Sequence, residues 1–256
     1  MAPSLPAAVA VFGEELAGLP GVVAVVLGGS RASGTAGPDS DWDLGVYYRK
    51  SRRMIDPGDV RRLGHDGQVS ELGEWGPIVN GGAWLTIADI PVDVLFRDLD
   101  TIERWLEESA QGRFEVLTQN GYVVGAPTYL PVGELALCTP ISGAVPRPSF
   151  PEPLAAAAPP RWRGRAGVSL MFAGKYARAG DAVCCVGMLV DAVLCTAHAR
   201  LMQRREWVLN EKRLVERAGL AGVQRLLARA GTTCTELGRT VSSVADALGV
   251  DTLEPR

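Results

Sequence analysis

The sequence predicts an α+β protein, with an N-terminal mixed β-sheet domain flanked by helices and then an all-α helical bundle. Three observations lead there. Apolar runs rich in β-branched residues, Val22–Leu27 foremost, have the pattern of strands covered on both faces, and short helical segments lie between them. Pro140, Pro146, Pro148, Pro151, Pro153, Pro159 and Pro160 then crowd a stretch that reads as irregular, because proline lacks the amide proton that helices and ladders use. Beyond it, apolar and charged positions recur at helical spacing. The expected boundaries are 1–137 for the sheet domain, 138–160 for a proline-rich linker and 161–256 for the helical domain.

In chain order, residues 7–19 read as an amphipathic helix, with Val11, Leu16 and Leu19 opposite Glu14 and Glu15, closing at Pro20-Gly21. The strand Val22–Leu27 ends in Gly28-Gly29. Residues 31–40 should hold a short helix and a turn at Gly37-Pro38-Asp39, and 41–48 a second strand. Asp56-Pro57-Gly58-Asp59 looks like a helix entry leading into 60–63, whereas 68–82 is too glycine-rich to assign. Residues 84–88 and 90–96 read as two strands joined at Asp89. Asp100 is placed as the N-cap of a helix over 101–109, helped by Glu103 as in a capping box. Helices are expected over 162–179, 182–204, 210–218, 220–230 and Cys234–Leu248, with Gly180, Gly219 and Gly231 between them.

Length and composition narrow the function classes. A chain of 256 residues is comfortable for two domains sharing a cleft. A net charge of −3 gives no general attraction to phosphate backbones, so long nucleic acid is a disfavoured partner. Cys138, Cys184, Cys185, Cys195 and Cys234 form neither a disulfide framework nor a zinc spacing, and read as reduced thiols. Residues 1–10 lack a basic segment, and Glu14-Glu15 interrupt the apolar run before it makes a signal peptide, so a cytoplasmic protein is expected. The apolar stretch 182–199 has the length of a membrane span but carries Asp191 and His198; it reads as a core helix, able to pair with a second copy as a homodimer.

The chemistry concentrates between Gly28 and Asp93. Gly28-Gly29-Ser30 is followed by ten residues and then Asp41-Trp42-Asp43, and a later apolar segment carries Pro91-Val92-Asp93-Val94-Leu95-Phe96. Alternate strand positions face the same way, so Asp41 and Asp43 should project together, with Asp93 turning to the same edge from a neighbouring strand. An isolated carboxylate there would cost several kcal/mol to bury, and three of them call for a divalent cation. Hard oxygen donors suit Mg²⁺ completed by substrate phosphates. Gly28 and Gly29 leave backbone amides uncovered for a phosphate, and Ser30 adds a hydroxyl at a helix entry that favours anions. Two Mg²⁺ ions about 4 Å apart would activate an acceptor hydroxyl and stabilise a pyrophosphate leaving group.

These residues, over roughly 20–97, resemble the polymerase-beta-type nucleotidyltransferase superfamily. A small sheet domain followed by a helical one is similar, within it, to the bacterial antibiotic (aminoglycoside) nucleotidyltransferases. The resemblance implies Mg²⁺-dependent transfer of a nucleoside monophosphate, usually AMP from ATP, to a hydroxyl of a small acceptor. By position it implies that Asp41 and Asp43 hold metal, that Asp93 is the third carboxylate and a candidate base, and that Gly28, Gly29 and Ser30 hold phosphate. Arg31 beside the loop and Lys175 on a later helix are candidates to grip the triphosphate, against the plainer reading of each as a solvated helix residue.

Other residues carry weaker signals. Glu71, Glu74 and Trp75 are candidates to meet the acceptor, by stacking on Trp75 and hydrogen bonds to a carboxylate, and Asp181 and Asp191 would suit a cationic one. Asn210 reads as a helix cap, and His65 and His198 as surface and core residues. The competing functions are transfer to an RNA end or to a protein, and a non-catalytic nucleotide-binding or antitoxin-like module. The RNA-end reading needs basic clusters longer than Arg161-Trp162-Arg163-Gly164-Arg165 or Arg204-Arg205.

Overall fold

The computed structural model describes residues 5–38 and 40–250, so Met1–Ser4 of the expected N-terminal reading and Asp39 of the expected turn lie outside the described residues. The chain divides into two units. One comprises the chain up to Ser109 with Phe114–Gly121 and Gly125–Ser149, and the other Ala110–Arg113, Tyr122–Val124 and the chain from Phe150 onward.

The first unit is built on a mixed sheet. After α1 (Ala7–Ala17), β1 (Val22–Leu27) and the single turn α2 (Gly29–Ala32) come β2 (Trp42–Tyr48), α3 (Pro57–Arg62), β3 (Asp66–Val69), β4 (Gly82–Ile87) and β5 (Ile90–Asp98). Then follow α4 (Leu99–Ala110), the small pair β6 (Val116–Leu117) and β7 (Ala126–Pro127), α5 (Leu130–Leu137) and β8 (Thr139–Gly143). The six-stranded sheet has the order β3-β4-β5-β2-β1-β8, with β2 and β5 parallel and the remaining pairs antiparallel. Strand alternation explains its core: Leu44 and Val46 of β2, Val92, Val94 and Phe96 of β5, and Ala83, Leu85 and Ile87 of β4 form one buried cluster with Val9, Phe12 and Leu16 of α1. Burying a side chain such as Phe12 contributes about 1.5–3 kcal/mol. The intervening residues, among them Asp43, Trp84 and Asp93, face the other side.

Several local expectations are corrected. The unassigned stretch 68–82 begins inside an edge strand, β3, whose residues are mostly exposed and so show no apolar alternation. Asp100 does not cap α4, which starts at Leu99 straight out of β5. Its carboxylate accepts from the Ser51 amide and Arg49, each at 2.8 Å, and Glu103 takes the other side of the Arg49 guanidinium. The Ser51 and Arg49 donors hold the Asp100 pKa down at about 2. The proline-rich stretch is more regular than proline content suggests. Pro140 lies in β8, an edge strand, at a register irregularity against β1, where a ladder tolerates the missing amide.

In the second unit α6 (Glu152–Ala179) starts ten residues before the expected 162 and contains Pro159 and Pro160; Leu154 and Ala158, both fully buried, anchor these first turns. It packs along α7 (Ala182–Gln203), which Asp181 caps through the Cys184 amide at 2.9 Å. The short α8 (Leu214–Arg217) and α9 (Val223–Leu227) fall inside longer expected helices; α8 starts late because Asn210 accepts from the Lys212 amide in a local turn instead of capping. Last comes α10 (Cys234–Leu248), opened by a Thr233/Glu236 capping box. Helix α7 is long and apolar enough to cross a membrane by composition, but 56% of its most apolar window is buried within the protein.

Candidate active site

Register brings two of the three predicted carboxylates together. In the parallel β2/β5 pair Asp43 stands opposite Asp93, so both project from the same face of adjacent strands, whose spacing is about 4.8 Å. Each is half-buried. Like charges placed directly opposite destabilise a sheet, so strand packing alone gives no reason for two acidic residues at paired positions. The neighbouring partners, Trp42 with Val92 and Leu44 with Val94, pack on the opposite face.

The glycine turn is fitted to Asp43. The Gly28 amide donates to the Asp43 carbonyl at 2.8 Å, extending the ladder by one rung past β1. Gly29 has φ +58, and a Cβ built on it would overlap the Asp43 Oδ2. Only glycine combines that backbone angle with that approach. Ser30 follows on α2, half-buried.

Arg31 is engaged with the chain itself. Its Nε lies 3.1 Å from the carbonyls of both Ser40 and Asp41, its Nη2 also donates to Ser40, and its guanidinium carbon sits 4.1 Å over the Trp42 ring. These contacts tie the end of the loop to the start of β2, where Asp41 is exposed one residue before the strand. The exposed first-turn arginine expected as the plainer reading is therefore half-buried and held.

Residues 10–119 match the model of the nucleotidyltransferase domain family, a span that contains this whole arrangement. This chain carries a nucleotidyltransferase domain. No curated protein matches it in sequence. Among solved structures it is similar to a nucleotidyltransferase-like protein from Exiguobacterium sibiricum 255-15, at 10% identity and a TM-score of 0.44 over 94% of this chain and 73% of that one. It is also similar to an aminoglycoside 6-adenyltransferase from Bacillus subtilis, at 8% identity and a TM-score of 0.29 over 95% of this chain and 91% of that one. Likenesses this distant carry no argument about an acceptor.

Among the described residues no three His, Cys, Asp or Glu side chains gather closely enough to hold a metal ion. The donor chemistry at the nucleotidyltransferase domain's carboxylates nevertheless fits a hard divalent cation: two carboxylates share one sheet face beside a glycine whose missing Cβ keeps space at Asp43. Lys175 is exposed on α6 of the second unit. Glu71 pairs with Arg61 at 2.6 Å, and Glu74 accepts from the Glu71 amide at 2.7 Å, so both brace their own loop. Asp191 binds Arg165 at 2.5 Å and Ser169 at 2.6 Å inside the second unit. His65 meets Glu15 at 3.2 Å, whereas His198 is buried against Trp162, and burial lowers its pKa to about 3.

Sequence reasoning missed Trp84. It pairs with Asp93 across β4 and β5, giving the row Asp43, Asp93, Trp84 over three adjacent strands. The signal was present in the turn at Ala88-Asp89, since Ile87 pairs with Ile90 and three steps back along each strand reach Trp84 and Asp93. Trp75 stacks on Trp84 with ring centroids 4.5 Å apart.

Proposed function

We propose that this protein transfers a nucleoside monophosphate, AMP from ATP, to a hydroxyl of a small molecule and releases pyrophosphate. The observation that carries the reading is the register of Asp43 with Asp93 on adjacent parallel strands, with Gly29 packed against the Asp43 carboxylate. Asp41, Asp43 and Asp93 would hold Mg²⁺, two ions in the fullest form, drawn together by the cation they neutralise. Bound Mg²⁺ would acidify the acceptor hydroxyl and offset charge on the phosphates.

The Gly28 amide, expected to be open to phosphate, is taken up by the Asp43 carbonyl, so the amides of Gly29 and Ser30, with the Ser30 hydroxyl, would receive the β- and γ-phosphates. Asp93 would take the proton of the acceptor hydroxyl as its oxygen bonds to the α-phosphorus. The bond from that phosphorus to the bridging oxygen breaks, and pyrophosphate departs with the electron pair. Arg31 would act indirectly, by holding the segment that carries Asp41. The free thiols of all five cysteines accord with a cytoplasmic setting, where nucleoside triphosphates are abundant.

The test is mass spectrometry of a pooled hydroxyl library after incubation with MgATP, looking for a nucleotide-monophosphate mass gain with pyrophosphate release. Asp43→Asn should reduce the rate by about a thousandfold, roughly 4 kcal/mol of transition-state stabilisation. Undiminished transfer by that variant would refute the proposal.

A further inference from the structure

Trp84 is 53% exposed although it lies on β4, a strand with neighbours on both sides. Its indole is backed rather than loose: Trp75 stacks on it at 4.5 Å with planes 21° apart. Trp75 in turn covers Gly82, where an added Cβ would come 2.8 Å from its Cζ3. The loop behind Trp75 is fastened by Gln119, whose Nε2 donates to the Trp75 carbonyl and whose Oε1 accepts from the amides of Ile78 and Val79 at 3.1 Å each. A large apolar ring face is thus kept in water, preformed, one strand from Asp93.

Its side of the sheet is informative. The glycine turn lies on the β1 side of Asp43, and β4 lies on the far side of Asp93. In-line displacement at phosphorus needs the attacking oxygen opposite the leaving pyrophosphate. If the phosphates occupy the turn, attack comes from the side of β5 and β4, where the residue directly opposite Asp93 is Trp84.

We infer that Trp84, supported by Trp75, is the acceptor platform of the site and that the acceptor is a hydroxylated ring compound whose apolar C–H face stacks on the indole, leaving a ring hydroxyl to reach Asp93. This rests on the nucleotidyl-transfer reading. Stacking of this kind selects shape without fixing the pattern of hydroxyls, so several related rings should be accepted.

The test uses the full chain with glucosamine, inositol and kanamycin as ring probes and sorbitol as the acyclic control, in two assays. Tryptophan fluorescence in the presence of Mg²⁺ and a non-hydrolysable ATP analogue reads binding without turnover. At least one ring probe should quench wild type, and sorbitol should not. Trp84→Ala should weaken that probe at least tenfold, Trp84→Phe should restore most of the affinity, and affinity for MgATP should stay within twofold in both. In turnover, Trp84→Ala should raise the acceptor KM with kcat changed less than threefold. Quenching by no ring probe, equal binding by sorbitol, an unaffected Trp84→Ala, or a loss of MgATP affinity in its place would each overturn the inference. Failure of the underlying reading looks different, because Asp43→Asn would then keep full transfer whatever Trp84 does.

Discussion

Strands β2 and β5 carry two polar pairs on one face, four positions apart, and the pairs differ in kind. At one end Tyr47 faces Arg97, and the guanidinium is 3% exposed and answered in full: Nε and Nη2 meet Glu134 at 2.7 and 2.8 Å, and Nη1 donates to the Val79 carbonyl at 2.5 Å. Burial, reinforced by the Glu134 charge, pushes the Tyr47 phenol far above its usual range, so it stays neutral there. At the other end Asp43 faces Asp93, two half-buried acidic residues on adjacent strands. The first pair resolves its electrostatics within the protein, as a structural element must. The second sets two acidic side chains at the edge of a glycine turn, inside the segment that matches the nucleotidyltransferase domain family, the placement expected of a functional pair.

Substitutions can break or sharpen that contrast. The largest effect on stability belongs to the Arg97 end. Arg97→Ala strands Glu134 and the Val79 carbonyl, and should lower unfolding free energy by about 3–5 kcal/mol in urea denaturation. The protein that remains folded should keep its affinity for MgATP. Equal stability to wild type would show that the Arg97 pair is not the structural member of the two.

Next comes Gly29→Ala. The alanine would have to hold a left-handed backbone, at a cost of about 1–2 kcal/mol, and would drive its methyl into the Asp43 carboxylate. Nucleotide transfer should fall about a hundredfold, far more than the small drop in thermal midpoint explains. The smallest effect is expected at Arg31. Arg31→Ala frees the carbonyls of Ser40 and Asp41 and uncovers Trp42, and should lower kcat about tenfold with stability changed by less than about 1 kcal/mol. Arg31→Lys should rescue little, since an ammonium can neither span two carbonyls in the guanidinium geometry nor stack in the same way. A large rise in ATP KM with kcat intact would instead make Arg31 a phosphate ligand.

What could be read in advance follows from how strongly each element's physics is written locally. β1, β2 and β5 announce themselves through apolar, β-branched runs, and with the glycine turn they carry the site and the family resemblance. β3 is an edge strand of which only Val69 packs on the core, so its exposed residues give no periodic signal. β8 and the first turns of α6 contain prolines that local preference rejects. Pairing against β1 and the burial of Leu154 and Ala158 override it. Arg31 could be noticed but not assigned, because its partners are carbonyls nine and ten residues away. Trp84 escaped because its importance lies in a cross-strand register and not in any motif.

The most direct test of the central claim, that Asp43 and Asp93 act as one cation-holding pair, is electron paramagnetic resonance of Mn²⁺ with ATP in wild type, in Asp43→Asn, in Asp93→Asn and in the double variant. Wild type should bind the Mn²⁺–ATP complex, each single variant should lose nearly all of that binding, and the double should be little worse than either, since the two carboxylates serve the same ion. If either single variant bound Mn²⁺–ATP as wild type does, the pair would be a structural feature of the sheet and the account of the site would be wrong.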